Sequence, residues 1–187
     1  LRSRDVAAGG QGAPLVPAFH RAVFGRPTQD IAVLNLGGMA NLSLLAADGL
    51  TRGFDTGPGN VLLDLWHARH RGGAYDPDGA WAAGGQVQPA LFARLCAEPY
   101  FALPPPRSTG RDLFDAGWLD RQGVASAPPQ DVQATLSELT AWSVAEALLA
   151  HAPTSGELIV CGGGAFNTDL LTRLGRRLPG AAVLSSE

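Results

Sequence analysis

Two apolar runs of strand length, Ile31 to Leu36 and Leu42 to Ala47, are joined by Gly37-Gly38-Met39-Ala40-Asn41. A turn at Asp48-Gly49 follows, and a third short segment enters Asp55-Thr56-Gly57-Pro58-Gly59-Asn60. Strand-length runs joined by glycines predict a β-hairpin, and a chain that commits this early to antiparallel pairing cannot be an all-helical bundle. Glycine costs a strand conformational entropy, so a glycine pair at a hairpin tip serves a backbone conformation or a close approach. One such use is a nest of backbone N–H groups cupping a phosphate; an ordinary tight turn explains the residues equally well.

The 187 residues suit one large domain or one lobe with attachments, and 45% apolar with 17% charged residues is a globular composition. With a net charge of -3 and no basic block, the chain is expected to bind neither nucleic acid nor an anionic membrane. No apolar run approaches the roughly 20 residues of a bilayer crossing. No secretory signal is read, and because the chain starts at Leu1 rather than Met, a preceding segment is expected. Cys96 and Cys161 stand far apart, which suits a reducing cytoplasm and forms no zinc pattern. All 14 basic residues are arginine. A Walker A loop, a Schiff-base lysine and a protein-kinase lysine are therefore excluded within this chain.

Asp5 stands beside Arg2 and Arg4, just ahead of the flexible Gly9-Gly10-Gln11-Gly12. It reads either as a solvated loop residue or as a general base kept ionised by a neighbouring cation. Ala13 to Phe24 has helical spacing, with His20 a packed or solvated helix residue. Asp55 to Asn60 punctuates a strand-to-helix junction, with Pro58 placed in a first helical turn ahead of the helix Val61 to Arg71. His67 and His70 have a metal-ligand spacing but no completing Cys or Glu, so no metal site is assigned. Gly72 to Gly85 reads as loop and Gln88 to Ala97 as a short helix. Pro99 to Arg107 is irregular because successive prolines fix an extended backbone. Ser108-Thr109 reads as the N-cap of a helix running to Trp118, or as an anion site with Arg107 and Arg111. The longest helix is Pro128 to Ala152, followed by strand Glu157 to Cys161, the turn Gly162 to Asn167, a helix to Leu178 and strand Ala181 to Ser185.

The order is β-β-β-α, an insert, then α-β-α-β. Three antiparallel strands followed by two reached through helices is the ribonuclease-H-like order, an α/β fold with helices on both faces. Three glycine turns fall at strand ends, where free N–H groups and helix dipoles favour anions.

Five segments carry a resemblance: Arg4 to Pro17, Asn35 to Leu42, Gly53 to Asn60, Ser108 to Arg111, and Cys161 to Asn167. Together they resemble the anhydro-N-acetylmuramic acid kinase family, within the sugar kinase, heat-shock chaperone and actin-like ATPase superfamily. The resemblance implies that Asp5 is the catalytic base and that Gly37, Gly38 and Asn41 face the ATP phosphates. It implies that Gly162, Gly163, Gly164 and Asn167 hold the adenosine, and that Arg4, Gln11, Asp55, Thr56, Gly57 and Asn60 line the substrate cleft. ATP and Mg²⁺ are the implied cofactors, an amino sugar the acceptor, a homodimer the assembly and the cytoplasm the compartment, in cell-wall (peptidoglycan) recycling. Residues 1–29 are then an inter-lobe segment carrying the base, and 30–187 the second, nucleotide-binding lobe, with an insert near 72–127. The first lobe, with its phosphate hairpin, and the final helix are not within this sequence. Phe166 departs from the pattern, standing where a histidine is expected. Rival readings share the glycine turns: a dinucleotide-binding oxidoreductase, which lacks its third glycine because Asn167 stands there, and another sugar kinase, a phosphatase or a non-catalytic nucleotide-dependent switch of the same superfamily.

Overall fold

The computed structural model describes residues 17–186. Five strands form one mixed sheet: β1 (Ile31–Leu36), β2 (Met39–Leu45), β3 (Thr51–Pro58), β4 (Glu157–Cys161) and β5 (Ala182–Ser185), in the order β3-β2-β1-β4-β5. β1 pairs antiparallel with β2 and β2 with β3, whereas β4 lies parallel to β1 and β5 parallel to β4. The expected ribonuclease-H-like order is therefore realised. The carboxyl ends of β1 and β4 share one end of the sheet with the β1–β2 turn.

Alternation along the strands separates two cores, because successive side chains point to opposite faces. Ala32, Leu34 and Leu36 join Leu42, Phe54, Leu158 and Val160 in the larger cluster, and Ile31, Val33, Leu45 and Ile159 form the smaller one. β1 is buried on both faces, as a central strand must be. The larger face is covered by α6 (Pro129–His151), which contributes Val132, Leu136, Leu139, Val144 and Leu148 to the same cluster. Two further helices, α2 (Val61–Arg71) and α7 (Thr168–Arg177), pack beside it. On the other face lies α1 (Pro17–Phe24), whose buried His20 meets the Ser43 hydroxyl at 2.9 Å. Burial holds His20 below the ordinary imidazole range, so the ring packs as a neutral group.

α7 is clasped to α6 by ion pairs. Arg173 and Arg177 of α7 reach Glu138 of α6 at 2.8 and 2.6 Å, and Arg173 also pairs with Asp169 of its own helix at 2.8 Å. Burial alone would raise the Glu138 carboxyl, but hydrogen bonds from Arg173 and Arg177 bring it below the usual range. The first turn of α7 is held separately, by Ser137 Oγ of α6 donating to Asp169 at 2.6 Å.

Four local readings change. The hairpin turn is only Gly37-Gly38, with Met39, Ala40 and Asn41 already paired in β2. Pro58 ends β3 opposite Met39 rather than starting a helix; β3 is an edge strand, where a missing N–H is tolerated. Residues 72–85 are not all loop: a 3₁₀ turn at Pro77–Gly79 leads into α3 (Ala80–Ala83), ahead of α4 (Pro89–Cys96). The helix after the proline run is α5 (Ala116–Arg121), capped by Asp115 accepting from Trp118 N at 2.6 Å. Ser108 and Thr109 do not cap it, because another carboxylate claims them.

Candidate functional site

All three glycine turns meet at the carboxyl end of β1. The N–H groups of Gly59, Asn60 and Val61, at the start of α2, donate to the carbonyls of Gly38, Gly37 and Gly38 at 2.9, 2.8 and 3.1 Å. These donors would otherwise be orphans of the helix terminus, so the hairpin tip acts as their cap. The Asn60 side chain adds a bond from Nδ2 to Leu36 O at 3.1 Å. The seam is too tight for a side chain at Gly59: a methyl there would run into Gly37 O, with Ala40 N at 3.1 Å and Met39 C at 3.2 Å. All are backbone atoms and cannot swing away. Gly59→Ala is therefore expected to destabilise the protein by about 1–3 kcal/mol through forced backbone shifts. Urea unfolding checks this, and an unchanged midpoint would show that the seam is loose.

The third turn closes on the same point. Gly162 has φ +84, a left-handed conformation that glycine adopts without penalty, and a methyl there would strike the Asn35 side chain. Gly164 is packed on Leu36, where an added methyl would lie 2.6 Å from Cβ and 3.2 Å from Asn60 Oδ1. Asn167 caps α7, its Oδ1 accepting from Leu170 N at 3.0 Å. Gly38 and Gly163 remain exposed beside this junction, and Gly37, Asn60 and Asn167 are half-buried.

Asp55 and Asn41 form a second, buried layer. One Asp55 oxygen accepts from Asn41 Nδ2 at 2.8 Å; the other accepts from Ser108 Oγ at 2.9 Å and from Thr109 N at 3.0 Å. A strap of the insert is tied down at the same residue. Arg107 Nε and Tyr100 Oη both donate to Asp55 O, at 3.1 and 2.7 Å, and Asp55 N donates to Arg107 O at 3.1 Å. Arg107 is buried and also donates to Phe101 O and Leu103 O, so it serves backbone carbonyls and is not an anion site with Arg111. Burial lowers its guanidinium below the ordinary value and raises the Tyr100 phenol. Two atoms beside this layer, Asn41 Oδ1 and Thr109 Oγ1, are buried and have no partner among the described residues. Thr56 is fully buried, its hydroxyl donating to Ala40 O at 3.4 Å, and Gly57 is buried under the Phe101 ring. Of the residues assigned to the cleft, Asn60 opens onto the surface junction while Asp55, Thr56 and Gly57 support it from below. Arg4, Asp5 and Gln11 lie outside the described residues.

Beside the junction is a cavity of about 490 Å³, walled by Asn60, by Asp64 of α2, by Tyr75, Asp76 and Asp78 of the segment that follows, and by Gly163, Gly164, Phe166 and Asn167. That size suits a small organic ligand. Burial raises the Asp64 carboxyl, against the opposing pull of Arg111 and His67. Sequence reasoning missed this wall, because Tyr75 after α2 and Asp64 on it belong to no glycine turn. Among the described residues no group of three acidic, His or Cys side chains gathers to hold a metal ion. His67 instead meets Gly73 O at 3.1 Å, and His70 packs on Trp66 with ring centroids 4.1 Å apart. Nor is any helix of the described residues long and apolar enough to cross a membrane.

Known proteins resemble this chain along its whole length. The family model described as anhydro-N-acetylmuramic acid kinase matches residues 1–187. A curated protein of that name from Xanthomonas campestris pv. campestris (strain 8004) is 59% identical over 187 residues, covering all of this chain and 50% of the relative. Another from Bordetella petrii is 62% identical over 180 residues, covering 93% of this chain and 47% of its own length. Among solved structures, the activator of 2-hydroxyisocaproyl-CoA dehydratase from Clostridium difficile, with bound ADPNP, superposes with a TM-score of 0.58 at 13% identity, covering 92% of this chain and 59% of that one. A xylulose kinase from Rhodospirillum rubrum superposes with a TM-score of 0.56 at 18% identity, covering 96% and 42%. Both neighbours share the fold of this chain. The chain spans about half the length of the curated relatives it matches.

Proposed function

The chain belongs to the anhydro-N-acetylmuramic acid kinase family, and from that premise we propose that it is the second, nucleotide-binding lobe of an ATP-dependent kinase. That kinase opens the 1,6-anhydro ring of anhydro-N-acetylmuramic acid and phosphorylates O6. The observation that carries the reading is the convergence of three glycine turns on one junction beside a ligand-sized cavity. Anions gather at such strand and helix ends. Gly37, Gly38 and Asn41 are assigned to the phosphate side, and Gly162, Gly163, Gly164 and Asn167 to the adenosine side. Residues 1–29 join this lobe to a first lobe that supplies the rest of the phosphate site.

In the proposed reaction Asp5 takes a proton from water as its oxygen bonds to the anomeric carbon. The bond from that carbon to O6 breaks. O6 then attacks the γ-phosphorus, and ADP departs. One water, one anhydro sugar and one ATP become the 6-phosphorylated sugar, ADP and a proton. Arg4, Gln11 and the Asp55-braced cleft hold the sugar. Transfer of this kind depends on positioning and on neutralising charge, so an arginine-only chain is compatible with it. Mg²⁺ usually travels with the phosphates and several waters. With no acidic cage among the described residues, it is assigned to ATP rather than to this lobe. A soluble cytoplasmic homodimer serving cell-wall recycling completes the proposal.

The test uses the whole protein with ATP, Mg²⁺ and 1,6-anhydro-N-acetylmuramic acid in ¹⁸O-water. The expected product is a 6-phosphosugar heavier by one ¹⁸O at the anomeric carbon. Unchanged anhydro sugar would refute the substrate.

A further inference from the structure

Two large aromatic rings stand exposed on the wall of the 490 Å³ cavity: Tyr75, 62% exposed, and Phe166, 64% exposed. They come from separate segments, Tyr75 from the loop after α2 and Phe166 from the Gly163–Phe166 turn ahead of α7. Among the described residues neither ring makes a hydrogen bond or an aromatic contact. Exposing two such rings to one cavity leaves apolar area in water that a flat ligand would cover.

Most polar side chains around them are already engaged. Asp76 accepts from the N–H groups of Trp81 and Ala82 at 3.0 and 2.9 Å. Asp78 accepts from the hydroxyl of Thr168, and Asn167 Oδ1 from Leu170 N. Asn60 Nδ2 is committed to Leu36 O. Asp64 is different: it lines the cavity and its carboxylate has no hydrogen bond among the described residues.

Resting on the phosphoryl-transfer reading above, we propose that the nucleotide base stacks against Tyr75 and Phe166 while Asp64 accepts the ribose hydroxyls, so that the site tolerates different bases and takes GTP as a phosphoryl donor alongside ATP. Every base offers a π-face, and base–aromatic stacking contributes about 1–3 kcal/mol per base without reading its edge. Strong discrimination needs unspent donors and acceptors aimed at that edge. Here the Asp76 and Asp78 carboxylates, Asn60 Nδ2 and Asn167 Oδ1 are spent on the protein's own turns, and among the described residues the Tyr75 hydroxyl, Asn60 Oδ1 and Asn167 Nδ2 are the side-chain groups left beside that edge. The loop after α2 thereby becomes part of the donor site.

The experiment measures steady-state kinetics of the whole protein with saturating anhydro sugar, varying ATP or GTP, alongside calorimetric titration with ADP. Tyr75→Ala and Phe166→Ala are each expected to raise the ATP KM about 5- to 150-fold at unchanged kcat, the span that such stacking energies give. Phe166→Trp should restore it. Wild-type kcat/KM for GTP should fall within about tenfold of ATP. Asp64→Asn should weaken ATP while leaving 2′,3′-dideoxy-ATP unaffected. An unchanged KM and ADP affinity in both alanine variants overturns the stacking role, and an ATP preference beyond about tenfold overturns the tolerance. A wild-type protein that neither binds ADP nor transfers phosphate overturns the kinase reading itself, and the stacking proposal with it.

Discussion

Asparagine in place of Asp5 is expected to lower kcat of the whole protein by about 10²–10⁴-fold, the usual contribution of a general base. The substitution keeps shape and hydrogen-bonding reach and removes only the capacity to take a proton. KM for ATP and the thermal midpoint should stay at their wild-type values, because the nucleotide junction is built from other segments. That split separates a chemical role from a structural one. In the ¹⁸O experiment the variant should form the same labelled product, only slowly. Near-normal turnover would remove Asp5 from the chemistry and leave the base to another carboxylate.

Asp55→Ala tests the buried layer beneath the site. The wild-type carboxylate satisfies Asn41 Nδ2, Ser108 Oγ and Thr109 N, at 2.8, 2.9 and 3.0 Å. Alanine leaves these buried donors unpaired, each at a cost of about 1–3 kcal/mol, while relief from burying a carboxylate offsets part of the loss. A net destabilisation of about 2–4 kcal/mol is expected in urea unfolding, together with faster hydrogen exchange at the Thr109 amide. Ser108→Ala removes one donor and keeps the other two satisfied, so its loss should be clearly smaller. Equal effects from the two variants would mean that the carboxylate does not organise the strap. The Tyr100 and Arg107 bonds to Asp55 O survive in both variants, because they use the backbone.

Strand positions were legible in the residues because alternation and apolar runs follow from local geometry. Ile31–Leu36 and Glu157–Cys161 fall where their patterns place them, and Val61–Arg71 is the expected helix. The Ser108-Thr109 pair was misleading for the same reason. Hydroxyls ahead of a helix look like a cap, and nothing local indicates that Asp55, more than fifty residues earlier, takes both. Pro58 likewise reads as a helix start until its strand proves to be the sheet's edge.

The sequence by itself determined the α/β class, the strand order and the three glycine turns, because backbone propensity and side-chain period act over a few residues. It also carried the family, through motifs spread along the chain. Only the tertiary structure decided that the three turns share one junction, that Asp55 braces it from within, and that Tyr75 and Asp64 belong to its wall. Those facts depend on hydrogen bonds and packing between residues far apart in the chain, and such contacts exist only once the sheet has brought its strand ends together.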